Sequence, residues 1–60
     1  MLTYIVPTLN EEEHIDILLE SLKGQLEGED EVIVVDSFSK DRTAEIAKNH
    51  GAKIILRPKK

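Results

Sequence analysis

The sequence predicts an α/β fold in which three parallel strands alternate with two helices. Three short runs are rich in β-branched residues, which is typical of strands, and two amphipathic segments separate them. The first two runs begin about thirty residues apart, at Leu2 and Val32, which is the length of one β-α-β unit. Because a crossover of that kind is right-handed and joins parallel strands, the pattern predicts a parallel sheet.

The first predicted strand, Leu2–Val6, stops at Pro7, and a helix follows it. Asn10 is predicted to be the N-cap, and Glu11–Glu13 suit a first turn, where the helix dipole favours negative charge. The helix is predicted to continue to about Leu26. Its apolar residues form a stripe about 100° wide, as expected of a helix that covers a sheet. The stripe consists of Ile15, Leu18, Leu19, Leu22 and Leu26, with Ile17 on the opposite face.

The second predicted strand, Val32–Val35, is apolar without alternation, which is typical of a parallel strand buried on both faces. A polar loop, Asp36–Lys40, leads into a second helix over about Asp41–Asn49. Ser39 is predicted to be its N-cap, and Gly51 is predicted to follow it in the C′ position. The face of this helix toward the sheet is predicted to consist of Thr43, Ala44, Ile46, Ala47 and His50.

A third short strand, Lys53–Leu56, completes the pattern. Together the elements predict a β-α-β-α-β, three-layer half of a Rossmann-like fold, with a parallel three-stranded sheet in the order 3-2-1 and two helices. Residues 1–60 are expected to form a single partial domain. The first strand has an unpaired edge in this order, so we expect a homo-oligomer that forms through that strand edge or through the first helix.

The composition excludes several classes of protein. The 60 residues contain no cysteine, so disulfide scaffolds, thiolate zinc sites and cysteine nucleophiles are excluded. The longest apolar runs are about five residues, against roughly 18 for a membrane span, and no signal peptide is recognisable, so a cytoplasmic protein is expected. A net charge of −4, without a basic stripe that carries aromatic residues, argues against nucleic acid as a partner.

Candidate binding residues come from the end of the sheet where ligands of parallel α/β folds bind, at the carboxyl ends of the strands. That edge comprises Pro7–Glu11, Asp36–Asp41 and Arg57. Asp36 is placed to bind ribose hydroxyls or a base, although a carboxylate that caps its own loop or the second helix fits the position equally well. Glu11 could bind a hydroxyl or simply complement the helix dipole. Because a glycine-rich phosphate loop is absent, a nucleotide would be held by its base and ribose.

No catalytic residue and no metal ligand is predicted. The chain has no Ser or Cys nucleophile at a suitable turn and no evident spacing of metal-ligating side chains. His14 is expected to face solvent, and His50 is expected to cap the last carbonyls of the second helix.

Two linked motifs resemble the opening of a family 2 glycosyltransferase. Tyr4–Glu12 is similar to a strand that ends P-x-Y-N-E, and Val34–Thr43 is similar to a strand that ends V-D-D/S-x-S-x-D-x-T. Glu45–Ala47 matches the E-I-A of the following helix, and Gly51–Ala52 comes after it. The resemblance covers all 60 residues.

The resemblance implies a GT-A fold, of which residues 1–60 would be the N-terminal nucleotide-binding portion. It implies that the chain binds a nucleotide-diphosphate sugar, linked to UDP or GDP. It also implies that Mg²⁺ or Mn²⁺ is a cofactor of a full-length relative, whereas none is expected in this chain. Asp36 would hydrogen-bond the base. The nucleotide-binding residues predicted in this way, with Arg57 as a further contact, are Pro7, Thr8, Leu9, Asn10, Glu11, Asp36, Ser37 and Arg57.

The sequence also departs from the family pattern. Leu9 replaces the usual aromatic residue, Ser37 stands where a second Asp is common, and Phe38 stands where Gly is common. No D-x-D metal motif occurs, and Asp36 and Asp41 are too far apart to replace it. We therefore expect a truncated, catalytically incomplete half-site that binds a nucleotide sugar. The alternative is a small homo-oligomeric interaction module without a ligand.

Overall fold

The computed structural model describes residues 2–58, which form a three-stranded parallel sheet and two helices. In chain order the elements are β1 (Thr3–Thr8), α1 (Glu12–Lys23), β2 (Glu31–Asp36), α2 (Thr43–Asn49) and β3 (Lys53–Leu56). The strands lie side by side in the order β1-β2-β3, and both pairs are parallel. The predicted α/β class, parallel sheet and strand order are confirmed.

The strand register brings the three carboxyl ends together. Thr8 is paired with Asp36, and Asp36 is paired with Leu56, so the last residues of the three strands lie side by side. We call this end of the sheet the carboxyl edge. The loops that follow the strands therefore begin next to one another, although about 30 residues separate the first two along the chain.

Both helices pack on the same face of the sheet. Ile15 and Leu19 of α1 and Ala47 of α2 bury against Val34 of β2 in one apolar cluster. Each helix joins two parallel strands by a right-handed crossover, and both crossovers move in the same direction across the sheet. This topology places both helices on the same face. The described residues therefore supply two of the three layers expected of the whole fold.

The opposite face of the sheet is uncovered within residues 2–58. Ile5 is 65% exposed and Ile55 is 39% exposed, and Ile33 and Val35 between them are half-buried. The prediction that Val32–Val35 is buried on both faces is therefore wrong for this part of the chain. Only the side chains that point toward the helices are shielded, with Val34 fully buried.

The first helix is shorter than predicted. It ends at Lys23 rather than near Leu26, and the amide of Gln25 donates to the Leu22 carbonyl in a closing turn. Its apolar stripe is confirmed at Ile15, Leu19 and Leu22, whereas Leu18 is 43% exposed and Leu26 lies beyond the end of the helix. Ile17, 71% exposed, lies on the outer face as predicted. No helix within residues 2–58 combines the length and the apolar character that crossing a bilayer would require.

The second helix ends at Asn49, and Gly51 follows it in the C′ position, as predicted. The Gly51 amide donates to the Lys48 carbonyl, and the Ala52 amide donates to the Ala47 carbonyl. This pair of bonds is the Schellman motif, which needs a left-handed residue at C′, and Gly51 has φ +88°. The prediction for the His50 side chain is wrong. Its ring lies against α1 instead of capping α2, because the helix ends beside two α1 carboxylates.

Among residues 2–58, two that are not glycine have a positive φ, Asn10 at +53° and Phe38 at +57°. Asparagine tolerates this region, whereas a bulky residue there is strained. The Phe38 ring is 55% exposed, so extensive burial does not compensate for the strain. Phe38 is thus a strained residue in the loop that follows β2.

Replacing Gly51 by alanine should destabilise the fold by about 1 kcal/mol, because a Cβ at φ +88° is strained even though nothing lies within 4 Å of it. Gly24→Ala is the matched control. Gly24 has φ −69°, and its added Cβ would lie an ordinary 3.6 Å from the Ser21 carbonyl oxygen. Urea denaturation should show this control to be neutral or more stable by up to about 1 kcal/mol. Equal losses at both glycines would contradict this account of Gly51.

Phe38→Gly should raise the free energy of unfolding by about 1 kcal/mol, because glycine adopts φ +57° without strain. Phe38→Ala removes the same ring but keeps a Cβ, so it should bring little or no gain. Thermal denaturation of both variants separates the backbone effect from the loss of the exposed ring. A gain as large in the alanine variant would attribute the effect to the ring.

Candidate nucleotide-binding site

The candidate site is formed by the loops that leave the carboxyl edge. The hydrogen bonding between neighbouring strands continues one residue into these loops. The Ser37 amide donates to the Thr8 carbonyl at 3.0 Å. The Arg57 amide likewise donates to the Asp36 carbonyl at 2.9 Å. The predicted segments after β1, β2 and β3 therefore lie at one edge.

Asp36 lies at the centre of this edge and is 1% exposed. Its Oδ1 accepts hydrogen bonds from the hydroxyls of Thr8 and Ser39, each at 2.6 Å, and its Oδ2 accepts from the Ser39 amide at 2.8 Å. Burial raises the pKa of Asp36, but these hydrogen bonds lower it by more, so the carboxyl titrates below its usual range. The carboxylate caps its own loop and ties that loop to the end of β1.

The loop after β1 and the loop after β2 each supply a side chain that accepts a hydrogen bond from a backbone amide of the other loop. Ser39 accepts a hydrogen bond from the Asn10 amide at 2.8 Å, and Asn10 Oδ1 accepts one from the Lys40 amide at 2.9 Å. The predictions that Asn10 caps α1 and that Ser39 caps α2 are therefore wrong. Neither side chain caps the helix that follows it, because the register places a partner from the other loop within reach.

Asp41 and Thr43 join the two helix starts. Thr43 is fully buried, and its hydroxyl accepts from the Glu11 amide at 2.8 Å and donates to Asp41. Asp41 accepts from the Thr43 amide at 2.9 Å and from the Glu12 amide at 3.1 Å. The hydrogen bond from the Thr43 hydroxyl contributes most to a pKa of Asp41 below its usual value. The first amides of α1 are thus satisfied by side chains that precede or begin α2.

The predicted nucleotide-binding residues fall into two groups. Thr8 and Asp36 are buried and bonded to each other, and Ser37 is half-buried. The remaining residues are exposed around them. They are Pro7, Leu9, Asn10, Glu11 and Arg57. The carboxyl edge therefore has a buried polar centre, formed by Thr8 and Asp36. We call the five exposed residues around it the exposed rim.

Ser39, Asp41 and Thr43 connect the loop after β2 to the loop after β1, but the sequence did not predict these contacts. The motif S-x-D-x-T that contains them was visible, but their partners are about 30 residues away in the chain. His14 was placed correctly, since its side chain is 78% exposed and lies 3.8 Å from Glu11.

Asp36 and Asp41 do not fit as ligands of a divalent metal ion. Asp36 and Asp41 each accept three hydrogen bonds, which a metal would have to displace. Within residues 2–58, the side chains that approach one another as metal ligands are Asp16, Glu20 and His50, away from this edge. The sequence did not reveal this set, because its members are on different helices.

Asp36 should make the stability of the fold depend on acid pH. A carboxyl whose pKa is lowered by folding stabilises the folded state above its unfolded pKa of about 4, and this contribution is lost as the pH falls through the lowered value. Asp36→Asn should lower the free energy of unfolding by about 2 kcal/mol at neutral pH and flatten its decrease below about pH 4. Urea denaturation from about pH 7 to about pH 2.5 measures both effects. Glu29→Gln, on the exposed loop before β2, is the control for the loss of one negative charge and should change the free energy of unfolding at neutral pH by less than about 0.5 kcal/mol.

Comparison with curated proteins identifies relatives that are glycosyltransferases. An uncharacterized glycosyltransferase of Rickettsia typhi is 48% identical over 56 residues, which is 93% of this chain and 18% of that protein. The 4,4'-diaponeurosporenoate glycosyltransferase of Staphylococcus haemolyticus is 47% identical over 53 residues, which is 88% of this chain and 14% of that protein. The chain thus spans less than a fifth of the length of these relatives.

Comparison with solved structures gives the same result. The glucosyl-3-phosphoglycerate synthase of Mycobacterium tuberculosis, solved with Mn²⁺, UDP and glucosyl-3-phosphoglycerate, superposes with a TM-score of 0.81 at 33% identity. The match covers 93% of this chain and 20% of the synthase, and it confirms the GT-A, Rossmann-like fold. The sequence profile of glycosyl transferase family 2 matches residues 3–60. The chain therefore belongs to glycosyl transferase family 2.

Proposed function

We propose that the carboxyl edge binds the nucleoside diphosphate of a UDP- or GDP-sugar, and that the chain is the nucleotide-binding half-site of a glycosyltransferase. The observation that carries this proposal is the cross-linking of the two loops. Hydrogen bonds centred on Asp36 and Ser39 hold the exposed rim of the edge in one conformation. The synthase that superposes on this chain was solved with UDP and also with UDP-glucose, which supports a uridine nucleotide.

Thr8 and Asp36 are proposed to act mainly as positioning residues. A carboxylate offers about four acceptor positions, and internal donors occupy three of those on Asp36. The remaining position, on Oδ2, would accept the imide N–H of uracil or guanine once the loop after β2 shifts, because Asp36 is 1% exposed. Asp36 would then hold the loop and bind the base with the same carboxylate.

The exposed rim is proposed to contact the rest of the nucleotide. Pro7 and Leu9 offer apolar surface to the base and ribose. Asn10, Glu11 and the hydroxyl of Ser37 offer hydrogen-bonding groups for the ribose. Side chains of this kind complement a ribose, which presents both acceptors and donors.

Arg57 is proposed to contact the diphosphate. Its backbone is anchored beside Asp36, and its side chain is exposed at the end of β3. Guanidinium groups suit phosphate oxygens because their donors form a planar fork. A basic group here also compensates for the absence of a glycine-rich phosphate loop.

We propose that this half-site binds the donor without transferring the sugar by itself. The synthase that superposes on this chain was solved with Mn²⁺ and UDP, and a divalent metal can stabilise the charge of a departing diphosphate. The 60 residues contain no D-x-D motif, and Asp36 and Asp41 are committed to hydrogen bonds within the loops. The cytoplasmic location and the homo-oligomer expected from the sequence stay predictions.

Arg57→Gln should weaken UDP binding about five- to tenfold, because it removes a charge-assisted contact with phosphate worth about 1 kcal/mol. Lys48→Gln is the matched control. It removes the same charge from the last turn of α2, away from the carboxyl edge, and should change the affinity less than twofold. The affinity is measured by titrating UDP into isotope-labelled chain and following the backbone amide resonances by NMR.

The same titration tests the proposed function itself. Resonances of Leu9, Glu11 and Ser37 should shift with UDP or with GDP, and those of the amino ends of the strands should not. A well-dispersed spectrum that responds to neither nucleotide would overturn the proposal. Linewidths of a dimer or larger in that spectrum would instead favour the interaction module without a ligand.

A further inference from the structure

A second group of polar side chains lies away from the carboxyl edge, between the two helices. Asp16 and Glu20 are one turn apart on α1, so they lie on the same face of that helix. His50, at the C-cap of α2, contacts both of them. Its Nε2 lies 2.5 Å from Asp16 Oδ1, and its Nδ1 lies 3.3 Å from Glu20 Oε2. We propose that these three side chains bind a divalent transition-metal ion, for which zinc is the best fit.

The three side chains lie close enough to bind one metal ion after a change of rotamer. One ligand atom from each lies within 4.8 Å of the others, and ligand atoms around a tetrahedral zinc ion are about 3.3 Å apart. Asp16 and Glu20 face different ring nitrogens of His50, so at least one carboxylate must turn toward the nitrogen that binds the ion. The side chains of Asp16 and Glu20 are 63% and 59% exposed and can rotate to do so. The His50 side chain is 13% exposed, so packing already orients the imidazole.

The donor atoms decide which ion fits. One imidazole nitrogen and two carboxylate oxygens suit zinc and its transition-metal neighbours, whereas Mg²⁺ and Ca²⁺ prefer oxygen ligands alone. With both carboxylates on the metal, the ring nitrogen that does not bind it can keep its proton and donate to water. Water would complete the coordination.

Solvent can reach the cluster. A cleft of about 190 Å³ is bordered by His50 and by residues from the amino ends of β2 and β3, including Glu31 and Lys53. The lining of this cleft includes neither Asp16 nor Glu20, so the ion would reach them from the exposed surface of α1, where their side chains are 63% and 59% exposed. This end of the sheet is opposite the carboxyl edge, so the metal would not contact the proposed nucleotide. The site would fasten α1 to α2 and stabilise the fold.

Lys23 already forms an ion pair with one of the three proposed ligands. Lys23 Nζ lies 3.8 Å from Glu20 Oε2, the same oxygen that faces His50. A bound metal would replace this ion pair, and the nearby ammonium would oppose its charge. Removing the charge of Lys23 should therefore tighten metal binding, an effect that a metal-free hydrogen-bonded cluster does not predict.

The test is isothermal titration of the 60-residue chain with ZnCl₂ at neutral pH. One zinc ion per chain is expected. Asp16→Asn, Glu20→Gln and His50→Gln should each weaken binding at least tenfold, and Lys23→Gln should tighten it severalfold. His14→Gln is the matched control, because it removes the other histidine, which is exposed beside Glu11, and it should change binding less than twofold.

Two further measurements separate coordination from nonspecific binding. Zinc at about 100 times its Kd should raise Tm by roughly 10–20 °C, and a chelator should reverse the increase. The ¹⁵N resonance of one His50 ring nitrogen should shift on zinc binding. Asp16→Asn and Glu20→Gln change exposed groups, so they test the site even if His50→Gln fails to fold.

Several results would overturn the proposal. Zinc affinity that is unchanged in Asp16→Asn and Glu20→Gln would assign binding to a histidine alone. No binding, or equal weakening in His14→Gln, would leave a hydrogen-bonded contact between the helices and no metal site.

Discussion

The buried carboxylate of Asp36 is the interaction on which the rest of the carboxyl edge depends. It is almost fully removed from solvent, and a charge in that position is tolerated only when hydrogen bonds compensate for lost hydration. Thr8 and Ser39 supply those bonds, one from the end of β1 and the other from the loop after β2. Satisfying one carboxylate therefore joins two loops that are far apart in the chain.

Further hydrogen bonds between the two loops extend the connection made by Asp36 to both helices. Asn10 and Ser39 each satisfy a backbone amide of the other's loop, and Thr43 and Asp41 satisfy the first amides of α1. Neither helix start can move without breaking bonds to the other. The exposed rim thus sits on a rigid base, and preorganisation of that kind reduces the entropy that ligand binding would otherwise cost.

The two ends of the molecule use their polar groups differently. At the carboxyl edge Asp36 and Asp41 accept hydrogen bonds from loop amides and hydroxyls, which leaves the exposed rim for the proposed nucleotide. Between the helices, Asp16 and Glu20 are exposed and face a single imidazole. The side of the sheet away from the helices is apolar and open within residues 2–58, with Ile5 mostly exposed. Parallel sheets in complete α/β folds are covered on both faces, and this chain spans a fifth of the synthase on which it superposes.

The sequence by itself determined the α/β class, the strand order and the approximate position of each element, because these depend on local patterns. Several predicted ends are wrong, since β1 continues through Pro7 to Thr8 and α1 ends at Lys23. Runs such as Val32–Val35, the α1 stripe through Ile15 and Leu19, and Gly51 after α2 each carry their own signal. Only the tertiary structure decided which groups cap which helix. Asn10 and Ser39 are good N-caps locally, but the strand register offers each a partner in the other loop. The same reason explains why His50 meets Asp16, since contacts between side chains 34 residues apart depend on how the helices pack.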